Sequence, residues 1–265
     1  MATVDPGPDT VSGPVPDPVP DTTRLVEALR EHTAGFARAA AGGEPDAMVP
    51  TCPEWRLATL VGHIGQADRW AAEIVRTGAP QPIPSPREAD PGPPGKWEGW
   101  LRAGAEELIA AVGEADPGAR MWSIVGPAPA TFWLRRMFCE TAIHHYDAAL
   151  TTGAAYGIAD DLAADVLTEG LEMMARTAAV ETFVPELARL RGAGERLGVR
   201  PHGMDGWLVT RLPEGIRWER GRSDGDVVVS GSMTEIMLVF ARRVPPGDVS
   251  GKRALLDHWL ANTAF

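Results

Sequence analysis

The sequence predicts an α+β fold: a helical bundle over residues 21–180, a linker or helix over 181–202, and a small α+β module over 203–265. Three observations predict it. Long segments of the first 180 residues place apolar side chains at helical spacing between Gly- and Pro-rich breaks. Beyond residue 203 the texture changes to short runs of Val, Leu, Ile and Trp around turn residues. The 265 residues, 44% hydrophobic, are enough to bury a sizeable core.

Residues 1–20, dominated by Pro, Asp, Gly and Val, cannot bury enough apolar surface to offset chain entropy and are expected to be a disordered tail. Asp21-Thr22-Thr23 then offers an N-cap. Leu25, Val26, Leu29 and Phe36 follow at helical spacing, giving a first helix over 22–41 that Gly42-Gly43 ends. A second helix is expected from Pro53, which suits a first helical turn. Its stripe runs through Leu57, Leu60, Val61, Ile64, Ala67, Ala71 and Ile74 to Gly78. The Pro-rich segment 79–96 must be a loop, and loops that long in a compact domain are usually functional or mobile.

A third helix is expected over 97–114, with Trp100, Leu101, Ala105, Leu108 and Val112 on its buried face. A fourth follows over 131–152, closed by Gly153, and a fifth over 158–180. Residues 181–200 read as weaker helix or loop. GWLVTRLPEGIRWER predicts a hairpin around Pro213-Glu214-Gly215, and residues 226–231 a third strand. SMTEIMLVFARR predicts a compact helix with a Ser N-cap, and 251–261 a closing helix.

The formal charge is −11, and no basic block occurs, which argues against a nucleic-acid groove. No stretch of about 18 apolar residues is present to span a membrane. The N-terminus lacks the basic start and apolar core of a signal peptide, and the two cysteines, Cys52 and Cys139, cannot staple a secreted scaffold. A cytoplasmic protein, monomer or homodimer, is the expectation.

His63 lies within the second helix's apolar stripe. A lone histidine there also fits a satisfied core residue. Glu140 and His144 are four apart, hence on one helical face a turn apart. Such a pair also fits a solvated helical ion pair, but Trp133, Met137, Ile143 and Ala148 put this face close to the packed side, where a carboxylate and an imidazole need a cation or partner. Two imidazoles and a carboxylate suit Zn²⁺ with an open fourth position, and also Fe or Ni. Asp147 is placed to orient His144, or to pair with Arg136 or Arg69. His145, about 100° round the helix, reads as an outer residue of the site or a surface one. Cys52 reads as an inert, half-buried thiol at a helix start, and Cys139 as core. The tryptophans Trp55, Trp70, Trp97, Trp100, Trp122 and Trp133 read mostly as packing mass, with one or two free to line a cleft. Arg242 and Arg243 close a helix of the small module, as dipole partners or as holders of a ligand carboxylate.

TCPEWRLATLVGHIGQADRWA (51–71), RRMFCETAIHHYDAA (135–149) and VVVSGSMTEIMLVFARRVPPGDVSGKRALLDHW (227–259) together resemble, in order and spacing, segments of the mycothiol-dependent maleylpyruvate isomerase family of the DinB-like superfamily. The resemblance covers roughly residues 22–261 and implies an up-down-down-up four-helix bundle with a small α+β domain. On it, His63, Glu140 and His144 fall on the metal ligands, for zinc or another divalent ion. Arg242 falls on a C-terminal arginine, a candidate catalytic residue that holds a substrate carboxylate. Mycothiol would be the thiol cosubstrate. Its thiolate adds to a conjugated cis double bond, the adduct rotates, and the thiol leaves; in sister enzymes the thiolate stays as an S-conjugate. The partners implied are therefore a small-molecule substrate and a low-molecular-weight thiol. Thr59 replaces the family's usual acidic residue, and the 79–96 loop is particular to this chain. A non-catalytic metal- or ligand-binding protein, and a hydrolase using metal-bound hydroxide, are the alternative readings; thiol-dependent turnover separates the three.

Overall fold

The computed structural model describes residues 20–176 and 184–263. The expected tail, except residue 20, and the expected helical residues 177–180 lie outside the described residues.

Four helices form the bundle: α1 (Thr22–Ala41), α2 (Leu57–Thr77), α3 (Trp97–Glu114) and α4 (Ala130–Thr152). Each boundary has a local cause. The Asp21 side chain accepts from the Arg24 N–H at 2.8 Å and caps α1. Gly78 and Gly153 take left-handed conformations, φ 69° and 76°, that terminate α2 and α4. α1 packs on α3 and α4, and α2 on the same two helices. Leu29, Phe36, Leu60, Leu101, Leu134 and Phe138 are fully buried between them. Trp133 anchors one end: its indole N–H donates to the Trp122 carbonyl at 3.0 Å, and Trp70 meets it edge-on at 5.0 Å.

The start of α2 differs from the sequence expectation. Pro53 is not in a first helical turn; Cys52–Arg56 is a strand, β2, folded back on β1 (Met48–Val49). Proline disfavours the helical region for the residue before it, so Cys52 is extended, and the chain turns over Pro50 and Thr51. This hairpin brings Thr51, Cys52 and Trp55 to the mouth of the bundle.

The C-terminal module is a five-stranded sheet of order β5-β4-β3-β6-β7, built from β3 (Arg196–Pro201), β4 (Trp207–Leu212), β5 (Gly215–Arg220), β6 (Val227–Gly231) and β7 (Asp248–Gly251). β3 and β6 pair in parallel and the other neighbours are antiparallel. The expected hairpin is present as β4–β5. The central strand β3 lies where weaker helix or loop was expected. Its pattern is broken by Gly198, where a Cβ would stand 2.1 Å from the Ser223 carbonyl oxygen, so the site demands glycine despite its poor strand propensity.

α6 (Met233–Phe240) begins with a reciprocal Ser232–Glu235 capping box, and α7 (Arg253–Asn262) closes the module. α5 (Asp160–Ala175) joins the two halves. Leu167 and Leu171 share one continuous apolar cluster with Val199, Trp207 and Val209 of the sheet, and the Trp207 indole donates to the Thr168 hydroxyl at 3.2 Å. This docking sets the end of α6 beside α4.

Candidate metal centre

α2 presents His63 and α4 presents Glu140 and His144 to the same cleft. One ligand atom from each of the three lies within 4.8 Å of those of the other two. His144 Nε2 is 3.4 Å from Glu140 Oε2, as expected for residues one turn apart. The two imidazoles meet nearly edge-to-face, with ring centroids 5.4 Å apart, and Trp55 covers both at 4.9 and 5.7 Å.

Each member is held from behind. His144 Nδ1 is 2.7 Å from Asp147 Oδ2. An ionised carboxylate only accepts, so Nδ1 carries the proton and Nε2 faces the cluster. Asp147, fully buried, also accepts from the Thr51 hydroxyl at 2.7 Å and from Arg243 Nε and Nη2 at 2.9 and 2.8 Å. Its arginine partner is thus Arg243, neither Arg136 nor Arg69. Arg136 contacts Glu140 Oε1 through Nη2 and donates through Nη1 to the buried Glu169 at 3.0 Å.

These contacts decide the charge states. Burial would raise Glu140, but Arg136 and then His144 outweigh it, so its carboxyl ionises well below the usual range. Burial likewise opposes ionisation of Asp147, and His144 and Arg243 overcome it. Burial and the neighbouring His144 push His63 down to about 4, leaving its lone pair free at neutral pH. His144 goes the other way: burial disfavours its charged form, but hydrogen bonds to Asp147 and Glu140 prevail and raise it. Glu140 and Asp147 are thus carboxylates held by Arg136 and Arg243, while burial raises Glu169 above its ordinary range. The raised proton affinity of His144 expresses the two carboxylates, Asp147 and Glu140, on either side of its ring. A donor set of two imidazoles and a carboxylate in a pocket that draws in positive charge fits a divalent ion.

A cavity of about 410 Å³ opens from the cluster. Met174 from α5 and Met237 and Phe240 from α6 give it an apolar wall, and Cys52, Pro86, Arg243 and Thr263 also line it. Cys52 is half-buried, and burial followed by the Asp147 charge raises its thiol pKa, in keeping with an inert thiol. Cys52, His144 and Asp147 form a second group close enough to share an ion, but Asp147 is already committed to His144 Nδ1, Thr51 and Arg243. Cys139 is fully buried.

Two sequence expectations need correction. Arg242 does not face the cavity. It is exposed, with φ 62°, and its N–H bonds the Val239 carbonyl while that of Arg243 bonds Leu238. This left-handed residue ends α6 and reverses the chain, so Arg243 enters the cleft in its place. His145 is neither part of the site nor on the surface. It is buried against α1, its Nδ1 3.3 Å from that of His32; burial first, then Arg24 for His32 and then His32 and Arg38 for His145, holds each imidazole down near 4. Sequence reasoning missed Thr51 and Glu169, and offered Arg136 to Asp147 rather than to Glu140. Of these, only the four-residue spacing of Arg136 and Glu140 carried a signal.

The fold and the cleft together define a four-helix bundle with a candidate metal centre and a C-terminal α+β domain. Residues 26–149 match the family model described as the mycothiol maleylpyruvate isomerase N-terminal domain. The chain is also similar in structure to the crystal structure of the mycothiol-dependent maleylpyruvate isomerase, with TM-score 0.58 and 16% identity over 87% of this chain and 93% of that one. A mutant form of the same enzyme gives TM-score 0.57 and 15% identity over 85% and 90%. No curated protein matches by sequence.

Proposed function

We propose that this chain is a metal- and mycothiol-dependent enzyme acting on a small electrophile, with His63, Glu140 and His144 as the metal ligands. The reaction proposed is cis–trans isomerisation by thiolate addition and elimination. The observation that carries the reading is the convergence of two imidazoles and one carboxylate on a cavity of substrate size with an apolar wall. A divalent ion, most simply Zn²⁺, would supply a Lewis-acidic open position at which a thiol ionises at neutral pH.

The chain's own residues supply the rest. Asp147 keeps His144 in the tautomer whose Nε2 is free. Arg136 takes up one Glu140 oxygen and leaves Oε2 on the His144 side. The wall formed by Met174, Met237 and Phe240 suits the carbon skeleton of a conjugated substrate and limits water around the adduct. Arg243 spends Nε and Nη2 on Asp147 and one Nη1 hydrogen on the Ala241 carbonyl. A second Nη1 hydrogen remains for a substrate carboxylate, the role that the resemblance gave to Arg242.

The test is single substitution of His63, Glu140 and His144 by Ala, reading metal content and mycothiol binding. Loss of one bound ion relative to wild type and of mycothiol binding is expected in each variant; wild-type metal content and mycothiol binding in all three would sink the proposal. Turnover of a cis-enone carboxylate panel then separates isomerisation from S-conjugation, because only the first returns free thiol. Turnover without any thiol would assign a hydrolase.

A further inference from the structure

His32 of α1 and His145 of α4 lie outside the cleft and have no part in the chemistry above. His144 and His145 are consecutive on α4 and so project about 100° apart. We propose that His32 and His145 form a second, independent site for a first-row divalent ion of the zinc class, clipping α1 to α4.

The spacing is the first argument. The two Nδ1 atoms are 3.3 Å apart. That is long for a hydrogen bond between ring nitrogens, but it equals the edge of a tetrahedron with metal–nitrogen bonds of about 2.0–2.1 Å, which is about 3.3–3.4 Å. The rings are tilted 69° with centroids 5.4 Å apart, an arrangement in which neither stacks on the other.

The surroundings are the second. A cavity of about 450 Å³ opens beside the pair, between α1 and the turn after α4. Its wall includes Tyr156, whose ring lies 5.0 Å from His145. Among the described residues the buried Tyr156 hydroxyl has no hydrogen-bond partner, and neither does His32 Nε2, although His32 is only 1% exposed. Glu31 and Arg38, of opposite charge, stand at the exposed rim. The hydroxyl gives an oxygen donor on the same wall, for the ion or for a water on it.

The third argument is that α1 makes room for the pair. A Cβ at Gly35 would stand 2.4 Å from His145 Cε1. Glycine inside a helix is destabilising relative to alanine, and here it admits the imidazole. Binding needs no change in protonation. The hydrogen-bonded pair holds one Nδ1–H and one lone pair; moving that proton to Nε2 of the same ring presents two Nδ1 lone pairs to the ion.

The experiment uses the full chain, stripped with a chelator and titrated with Zn²⁺, then with Co²⁺. Wild type is expected to take up two ions per chain. His32→Gln should take up one, and so should Gly35→Ala, which keeps both imidazoles but crowds His145. His63→Ala should also take up one, at the other site. Tetrahedral Co²⁺ absorption should persist in His63→Ala and vanish when His32→Gln is added. Far-UV circular dichroism checks that each variant folds. One ion in wild type, retained in His32→Gln, overturns the proposal, as does a stoichiometry of two unchanged in His32→Gln and Gly35→Ala. One ion lost in His32→Gln but kept in His63→Ala would uphold this site and overturn the metal assignment in the cleft, so the two readings fail separately.

Discussion

The carboxylate of Asp147 stands 2.7 Å from His144 Nδ1, with no exposed surface of its own, and so fixes which nitrogen of a proposed ligand faces the cleft. Asp147→Asn keeps the shape but removes the acceptor-only charge. Zn²⁺ affinity is expected to fall about 10–100-fold, as when partners behind other metal-bound histidines are lost. Competition with a chromophoric chelator measures it. Unchanged affinity would mean that the contact serves only packing.

Arg136 compensates two carboxylates at once. Arg136→Ala leaves Glu169 and Glu140 without their guanidinium, and breaking a buried ion pair costs about 3–5 kcal/mol. Urea unfolding of the metal-free protein should show a loss of that size. Saturating Zn²⁺ should recover part of it, because an ion on Glu140 replaces one of the two lost compensations. Arg136→Lys should lose less, since it keeps the charge but not the fork.

Asp68 is a separate liability in the α2–α3 contact. It is 1% exposed, neither carboxylate oxygen has a hydrogen-bond partner among the described residues, and burial pushes its pKa up to about 8. The unfolded chain ionises this group near 3.9. The folded-state value is raised, so its contribution to stability is full below about pH 4 and is lost progressively up to about pH 8, at up to about 1.4 kcal/mol per pH unit. Asp68→Asn, neutral throughout, should flatten the stability–pH curve in that window. Parallel curves for the two proteins would refute the assignment.

Gly65 faces Trp100 across the same contact, and a Cβ there would stand 2.1 Å from the indole Nε1. Two effects oppose each other in Gly65→Ala. Helix propensity favours alanine by about 1 kcal/mol. Overpacking a buried contact costs roughly 1–3 kcal/mol, and Trp100 is further held under the Arg69 guanidinium, 4.0 Å from its ring. Net destabilisation is expected, seen as a lower urea midpoint at unchanged m-value; a stabilised variant would show that Trp100 moves freely.

The bundle was legible because its signals are local. α1 and α3 have the expected limits, since Asp21 and the bounding Gly and Pro residues act within a turn of where they stand. β3 was not legible: its two alternating apolar residues, Leu197 and Val199, are sheet-forming only through β4 and β6, and Gly198 answers to the Ser223 backbone. In the cleft, the spacing of Glu140 and His144 could be read directly, while their meeting with His63 depends on how α2 packs on α4. Arg242 and Arg243 could not be told apart because a single left-handed residue decides which one turns inward. His145 was misread because its environment is made by Gly35, 110 residues earlier.

Asp147 is separated by 96 residues from Thr51 and by 96 from Arg243, the two side chains that hold it along with His144. During synthesis, then, even the last of the three proposed ligands, His144, leaves the ribosome 99 residues (243 − 144) before the guanidinium that neutralises the carboxylate behind it. A nascent bundle can capture its ion early, but the affinity is set only when the last quarter of the chain docks. A chain ending at residue 202 should accordingly hold Zn²⁺ with an affinity different from that of the whole protein, and equal affinities would show that the centre matures without its C-terminal third party.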